Sequence, residues 1–275
     1  MTWFQALVLG ALQGATEFLP ISSSGHLVLF PWLFGWEIDP EVLFPFTVVL
    51  HWGTLLAVTA AFWSDLVRLV SAAFQGVRTL NPFGTAESKL AWLLLLASVP
   101  AALAGALFDS LIRGAFSWPP LVAVLLLING GLLMTGEWFR SRRDPAAKPS
   151  ELEAPDALVI GIFQTLSLFP GISRSGSTIV GGLSRGFSRL ESARFALLLA
   201  VPIILGAGIA ASGDFRTISS ETVQEFAIGF VTAAAVGFAA IRWLLRYLSS
   251  GSLRSFAAYC AAVGLLCLAV AIYRA

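Results

Sequence analysis

The sequence predicts an all-α integral membrane protein of six full transmembrane helices plus two re-entrant helical hairpins, arranged as two inverted repeats. Three observations predict it. The 275 residues are 57% hydrophobic and only 12% charged, with a mean hydropathy of +0.83, which is too apolar for a soluble globule. Six segments approach the length of about 20 apolar residues that a bilayer crossing needs. Finally, the stretch around Glu17–His26 is repeated further along without a gap. Gln13 falls on Gln164, Phe18 on Phe169, Ile21 on Ile172, Ser22 on Ser173, Ser24 on Ser175 and Gly25 on Gly176, with Gly10 on Gly161 upstream. Such self-similarity reads as an internal duplication.

In chain order, the first repeat covers residues 1–139. Its hairpin, 2–36, consists of two short apolar pieces, 2–17 and 24–35, separated by Pro20 and the serines. Three spans follow, at 43–63, 90–109 and 119–139. Residues 140–155 form the one clearly polar linker and are expected to lie in solvent on the cytoplasmic side. The second repeat, 156–275, opens with a hairpin at 156–188, whose pieces 156–169 and 175–188 are broken by Pro170 and Gly171. Spans at 195–211, 223–245 and 255–273 complete it. Proline removes a backbone donor and disfavours helix in the residue before it, while glycine permits the turn that follows. Irregular backbone at membrane depth has to be buried in protein or line a wet cavity, so the two turns are expected to meet around one.

The three spans between the hairpins are an odd number, so the second repeat enters the membrane inverted. Short helices meeting at the interface of inverted repeats are a known way to build a membrane binding site. Basic residues orient the layout. If the first hairpin opens outward, the inner loops and helix ends take most of the 17 Lys and Arg, while only Arg113, Arg216 and Arg274 fall outside and Arg174 sits in the second turn. This asymmetry follows the positive-inside rule and puts both termini outside.

The net charge of +1 gives no electrostatic footprint for nucleic acid, which is not expected as a partner. Cys260 and Cys267 lie two helical turns apart in an apolar run and read as packing residues, with no CxxC or Cys/His spacing for structural zinc. The N-terminus lacks the basic start and cleavage site of a signal peptide, so the chain is expected to stay whole. Glu37, Asp39 and Glu41 read as a solvated rim. His51, in the middle of the 43–63 span, is either a partner of the site or a packing residue.

The chemistry is concentrated in the turns. Gln13 and Glu17 are four apart and share one face of the first short helix. Ser22, Ser23 and Ser24 are suited to cap the second, and His26 lies four residues after Ser22, so a hydroxyl and the imidazole are expected on one face. The second turn adds Arg174, a permanent cation with a planar donor fork, among Ser173, Ser175, Ser177 and Thr178. Two helix N-termini, a guanidinium and many hydroxyls suit a phosphate or diphosphate. An acid and an imidazole beside the anion suggest that it is cleaved. Gln13, Ser24, Gly25, Ser173, Ser175, Gly176 and Thr178 are the expected binding residues around Glu17, Ser22, Ser23, His26 and Arg174. A structural ion pair between Glu17 and Arg174 is the plainer reading of those two.

At these residues the sequence resembles the undecaprenyl pyrophosphate phosphatase family of bacteria, also called the bacitracin-resistance family, over nearly the whole chain. Gln13 to Glu17 is similar to its Glu-or-Gln, three residues, Glu pattern; Pro20 to His26 to its Pro-x-Ser-Ser-x-Gly-His; and Pro170 to Gly176 to its Pro-Gly-x-Ser-Arg-Ser-Gly. The resemblance implies an enzyme of the bacterial cytoplasmic membrane. It would hydrolyse undecaprenyl diphosphate to the monophosphate carrier lipid of cell-wall synthesis from a midplane site open to the outer side, and confer bacitracin resistance. It also implies a divalent cation, Mg²⁺ or Ca²⁺, near Glu17 and Gln13, and Glu17, His26 and Arg174 as core residues with Ser22 and Ser23 as serine candidates. Some relatives carry Glu where this chain has Gln13. The nucleophile is either Ser23 or a water activated by His26 and Glu17. A polyprenyl-phosphate transporter or flippase is the alternative function, and a homodimer is compatible with the sequence.

Overall fold

The structure, a computed structural model, describes residues 1–142, 151–211 and 222–274. The polar linker's centre, 143–150, and Arg216 lie outside the described residues. Among the described residues all regular structure is helical. The first half holds α1 (Trp3–Phe18), α2 (Ser23–Phe34), α3 (Pro40–Ala61), α4 (Trp63–Arg78), α5 (Ala86–Leu107), α6 (Asp109–Phe116) and α7 (Pro119–Ser141). The second holds α8 (Ala154–Thr165), a 3₁₀ turn at Leu166–Leu168, α9 (Arg174–Ser184), α10 (Arg189–Ala210), α11 (Val223–Leu248) and α12 (Arg254–Arg274).

Among the described residues six helices, α3, α5, α7, α10, α11 and α12, are long and apolar enough to cross a membrane, one for each span read from the sequence. This is a multi-pass membrane protein. Helices α3, α5 and α10 start earlier than hydropathy alone indicates because polar caps belong to them, while α7 and α11 start where the sequence places them. Asp39 accepts from the Glu41 N–H and Pro40 occupies the first turn of α3. Ser188 and Glu191 form a reciprocal capping box that starts α10 at Arg189, six residues ahead of the apolar run. Hydropathy also passes over α4 and α6, which are amphipathic and join successive spans.

The short helices α1 and α2 pack against each other, as do α8 and α9. Their outer supports are exchanged: α1 lies along α11 of the second half, and α8 along α5 of the first. This pattern is compatible with the inverted duplication. The duplicated glycines mark both seams. A Cβ on Gly10 would stand 2.7 Å from the Gly229 carbonyl oxygen of α11, and one on Gly161 would stand 2.5 Å from the Ala97 carbonyl oxygen of α5. Small residues let membrane helices approach backbone to backbone. Between these seams α7 touches α2, α9 and α12, so a single span supports both turns.

Candidate active site

The first turn is built for tight chain reversal. After α1, Leu19 is extended and the Ile21 N–H bonds back to its carbonyl at 2.8 Å. Ser22 then takes φ 70 and ψ 96, a conformation costly for a residue with a Cβ and persistent only where surroundings enforce it. They do so through the Ser22 hydroxyl. Its oxygen accepts the Gly25 N–H at 3.2 Å, capping α2, and the Gly171 N–H of the second turn at 3.1 Å. It also lies 3.3 Å from the Ser24 hydroxyl. Ser23, the next residue, points to α1 and donates to Glu17 Oε2 at 2.5 Å. Gln13 Nε2 donates to the same oxygen at 3.1 Å.

The second turn repeats the cap. Ser173 accepts the Gly176 N–H at 3.1 Å and sits 3.0 Å from the Ser175 hydroxyl, matching Ser22, Gly25 and Ser24. Ser173 and Ser175 then donate across to the Leu19 carbonyl at 3.4 and 3.0 Å. Gly171, at φ 104, runs close under α7 and opposite Gly25. The first residue of α9, Arg174, faces α1: Nη2 reaches Glu17 Oε1 at 3.3 Å, and Nη1 donates to the Ala196 carbonyl at 3.2 Å. From α3, His51 Nε2 comes to 3.7 Å of Glu17 Oε2, while its Nδ1–H donates to the Thr47 carbonyl. The sequence left His51 between two roles; it stands beside the carboxylate.

Gln13, Glu17, Ser23, His51 and Arg174 therefore converge from four helices on a largely buried carboxylate. The two oxygens of Glu17 are divided, one facing Arg174 and the other a serine hydroxyl. A hydroxyl bonded to a carboxylate beside a guanidinium is an acid–base and anion-binding arrangement. The other expected residues are placed differently. His26 does not meet a serine hydroxyl: its Nδ1–H donates to the Ser22 backbone carbonyl at 2.7 Å, since that carbonyl is the i−4 acceptor in the first turn of α2, and its Nε2 accepts from Tyr259 at 2.9 Å. Thr178 is buried and bonded to the Arg174 and Ser175 carbonyls of its own helix. Glu37, Asp39 and Glu41 lie at the exposed start of α3, as a rim should.

The comparisons with known proteins bear on what this arrangement is. Residues 6–266 match the family described as bacitracin resistance protein BacA. The chain belongs to the BacA family. It is 40% identical to an undecaprenyl-diphosphatase of Pelotomaculum thermopropionicum, covering 100% of this chain and 98% of the relative. It is 41% identical to one from Thermomicrobium roseum, with 98% of both covered. A third, from Moorella thermoacetica, is 42% identical over 94% of each.

Two further residues support the turns of this BacA-family chain and were not singled out in the sequence. Asn129, in the interior of α7 and fully buried, donates to the Pro20 carbonyl at 3.0 Å and accepts the Ser173 N–H at 2.9 Å, so one amide holds both turns. Its presence inside an apolar span was a readable signal, because a polar group at membrane depth requires a partner. Tyr259, on α12, both bonds and stacks on His26, with ring centroids 5.6 Å apart. A half-exposed tyrosine near a span's end carries no such signal. Cys260 and Cys267 are free and buried, as packing residues should be.

Proposed function

We propose that this protein hydrolyses undecaprenyl diphosphate to undecaprenyl phosphate and inorganic phosphate, acting as an undecaprenyl-diphosphatase. The observation that carries the reading is the Ser23–Glu17–Arg174 constellation, formed where the duplicated turns meet. The curated relatives bearing that name support it over the full chain length.

In this reading Ser23 is the nucleophile. Glu17 accepts its proton as Oγ attacks the terminal phosphorus, the bond from that phosphorus to the bridging oxygen breaks, and undecaprenyl phosphate departs with that oxygen. After Glu17 has passed that proton to bulk water, it takes a proton from the water that attacks the phosphoserine phosphorus and returns it to Ser23 Oγ as the Oγ–P bond breaks, which frees phosphate and restores the serine. Arg174 has N–H groups beyond the two engaged with Glu17 and Ala196, and these bind the phosphoryl oxygens as charge develops. The N–H groups at the starts of α2 and α9 add to this field, the Ser22 and Ser173 caps having taken those of Gly25 and Gly176. His26, held between the Ser22 carbonyl and the Tyr259 hydroxyl, braces the start of α2.

A divalent cation, Mg²⁺ or Ca²⁺, fits the donor set. Gln13 Oε1 is buried without a partner on the same amide whose Nε2 bonds to the Glu17 carboxylate, and Mg²⁺ commonly binds through one or two protein oxygens together with substrate phosphates. Glu17 and Gln13 would hold it. When bound it neutralises charge on the diphosphate oxygens. Fuller placement belongs to the same proposal: the bacterial inner membrane, both termini outside, two inverted repeats at 1–139 and 156–275, and a site reached from the outer side. An outward site would receive the diphosphate lipid left by cell-wall assembly.

The test is phosphate release from a long-chain polyprenyl diphosphate by the purified protein in detergent, with Glu17→Ala, Arg174→Ala and a chelator alongside. Release that depends on all three supports the reading. An intact wild type that binds the lipid but releases no phosphate, where detergent leaves no compartments to transport between, would move the assignment to a polyprenyl-phosphate transporter.

A further inference from the structure

Helix α4 (Trp63–Arg78) has no place in the candidate site, yet its surface is divided into three faces rather than the usual two. At about 100° per residue, Trp63, Val67, Val70, Phe74 and Val77 fall on one stripe, and all are between 49% and 69% exposed. Leu66, Leu69, Ala73 and Gly76 form a second stripe, more buried and turned towards the protein, where α4 packs on α5. Ser64, Arg68, Ser71, Gln75 and Thr79 form a third that is exposed and polar. A helix in water does not leave five large apolar side chains open in a row, and a helix in hydrocarbon does not carry a polar face.

We infer that α4 lies at the membrane–water boundary, its Trp63–Val77 stripe in the headgroup and upper acyl region of the bilayer and its Arg68–Gln75 face in water. Connectivity fixes the occupant. The helix begins two residues after the span α3 ends at Ala61 and is followed by the span α5, so both of its ends are tied to one membrane surface. On those spans Leu56 and Leu95 are likewise half exposed. The flanking cations suit that boundary. Arg78 folds over the Phe74 ring at 5.7 Å, an apolar stem with its charge brought to the edge. On the water side, Asp65 pairs with both Arg68 and Arg194 of α10. With the termini outside, this surface is the inner leaflet. The inference rests on the membrane topology and stands whether or not the chain is a phosphatase.

Site-directed spin labelling of the full chain in phosphatidylcholine nanodiscs, with and without phosphatidylglycerol, tests it. Single cysteines replace Val70 and Phe74 on the apolar stripe and Ser64 and Gln75 on the polar one. The chain without an added cysteine reports any labelling of Cys260 or Cys267. Size-exclusion profiles matching the unlabelled protein check that each variant is folded. The expected result is a change of sign in relative accessibility: oxygen dissolved in lipid relaxes labels at 70 and 74 more than a water-soluble nickel complex does, and the order reverses at 64 and 75, in both lipid mixtures. Labels at 70 and 74 shielded from both agents would show a protein partner such as a second copy. Labels open mainly to nickel would show a helix clear of the membrane. Either outcome overturns the inference.

Discussion

Glu17 and Arg174 are 157 positions apart in the chain and 3.3 Å apart in the fold. Each comes from a different copy of one duplicated motif. Glu17 corresponds to Leu168 in the second copy, and Arg174 to Ser23 in the first. The copies have kept their shared capping serines, which shape the turns, and differ where the chemistry lies. Replacement of Arg174 by Ala strands a largely buried carboxylate, which costs about 3–5 kcal/mol when an internal pair is broken. The rate falls by roughly 10²–10³, the worth of one such anion-binding donor. Arg174→Lys keeps the charge but not the fork that reaches both Glu17 and the Ala196 carbonyl, so it recovers stability better than activity. Thermal unfolding and phosphate release on the two variants separate these effects.

Adjacent serines divide their work. Ser22 is occupied by two backbone N–H groups from both turns, whereas Ser23 is bonded to the carboxylate. Ser23→Ala is expected to lower turnover by at least about a thousandfold with little change in stability. Ser22→Ala loses a cap and a cross-turn bond, about 1–3 kcal/mol, and a smaller part of the activity. Acid quench with substrate labelled in the terminal phosphate should trap phosphate on Ser23 in wild type. Near-normal turnover by Ser23→Ala would sink the serine route and leave water as the nucleophile.

Much of this was legible in the sequence because membrane burial makes polar residues conspicuous. Glu17, Arg174 and the clustered serines interrupt otherwise apolar segments, and their duplicated spacing indicated that the turns meet. What stayed hidden depends on direction rather than residue type. Spacing alone does not say whether a helix's first imidazole turns to a serine hydroxyl or to the i−4 carbonyl and a distant tyrosine, as His26 does. Nor does it say that the Thr178 hydroxyl is spent on its own helix. The amphipathic α4 escaped a search for apolar runs because its protein, lipid and water faces average to an unremarkable hydropathy over one turn.

The closeness of the turns is itself a requirement. A methyl group on Gly25 would stand 2.9 Å from the Gly171 Cα, and backbone on both sides cannot give way as a side chain does. Gly25→Ala should cost about 1–3 kcal/mol and move Arg174 away from Glu17. Activity should fall further than the unfolding temperature alone would suggest, because the misplacement acts on the reacting geometry. Measuring kcat well below the unfolding transition isolates that part.

Asn129 has the same task from the other side. Asn129→Leu keeps the branched side-chain skeleton but leaves the Pro20 carbonyl and the Ser173 N–H without their partner, at about 1–3 kcal/mol for each stranded group. Because the amide touches both turns and no residue proposed to react, kcat should drop while KM changes little. An unchanged kcat at a reduced unfolding temperature would show that α7 supports the bundle without aligning the site.

Gln13 offers a direct probe of the cation. Its amide nitrogen is bonded to Glu17 while its oxygen is buried and unpartnered, so the side chain presents one neutral donor beside one charged one. Affinity of oxygen sites for divalent cations rises with the number of charged ligands. Gln13→Glu adds a second carboxylate at the same position and should lower the Mg²⁺ or Ca²⁺ concentration for half-maximal activity by roughly tenfold. Without cation the same variant should unfold at lower temperature, because two carboxylates then stand together beside the Arg174 guanidinium. Added cation should restore the unfolding temperature, a readout independent of turnover. If neither the activation curve nor the unfolding temperature responds to cation in Gln13→Glu, then Gln13 and Glu17 do not hold the ion. The unpaired oxygen of Gln13 would then be explained by water or by the diphosphate itself.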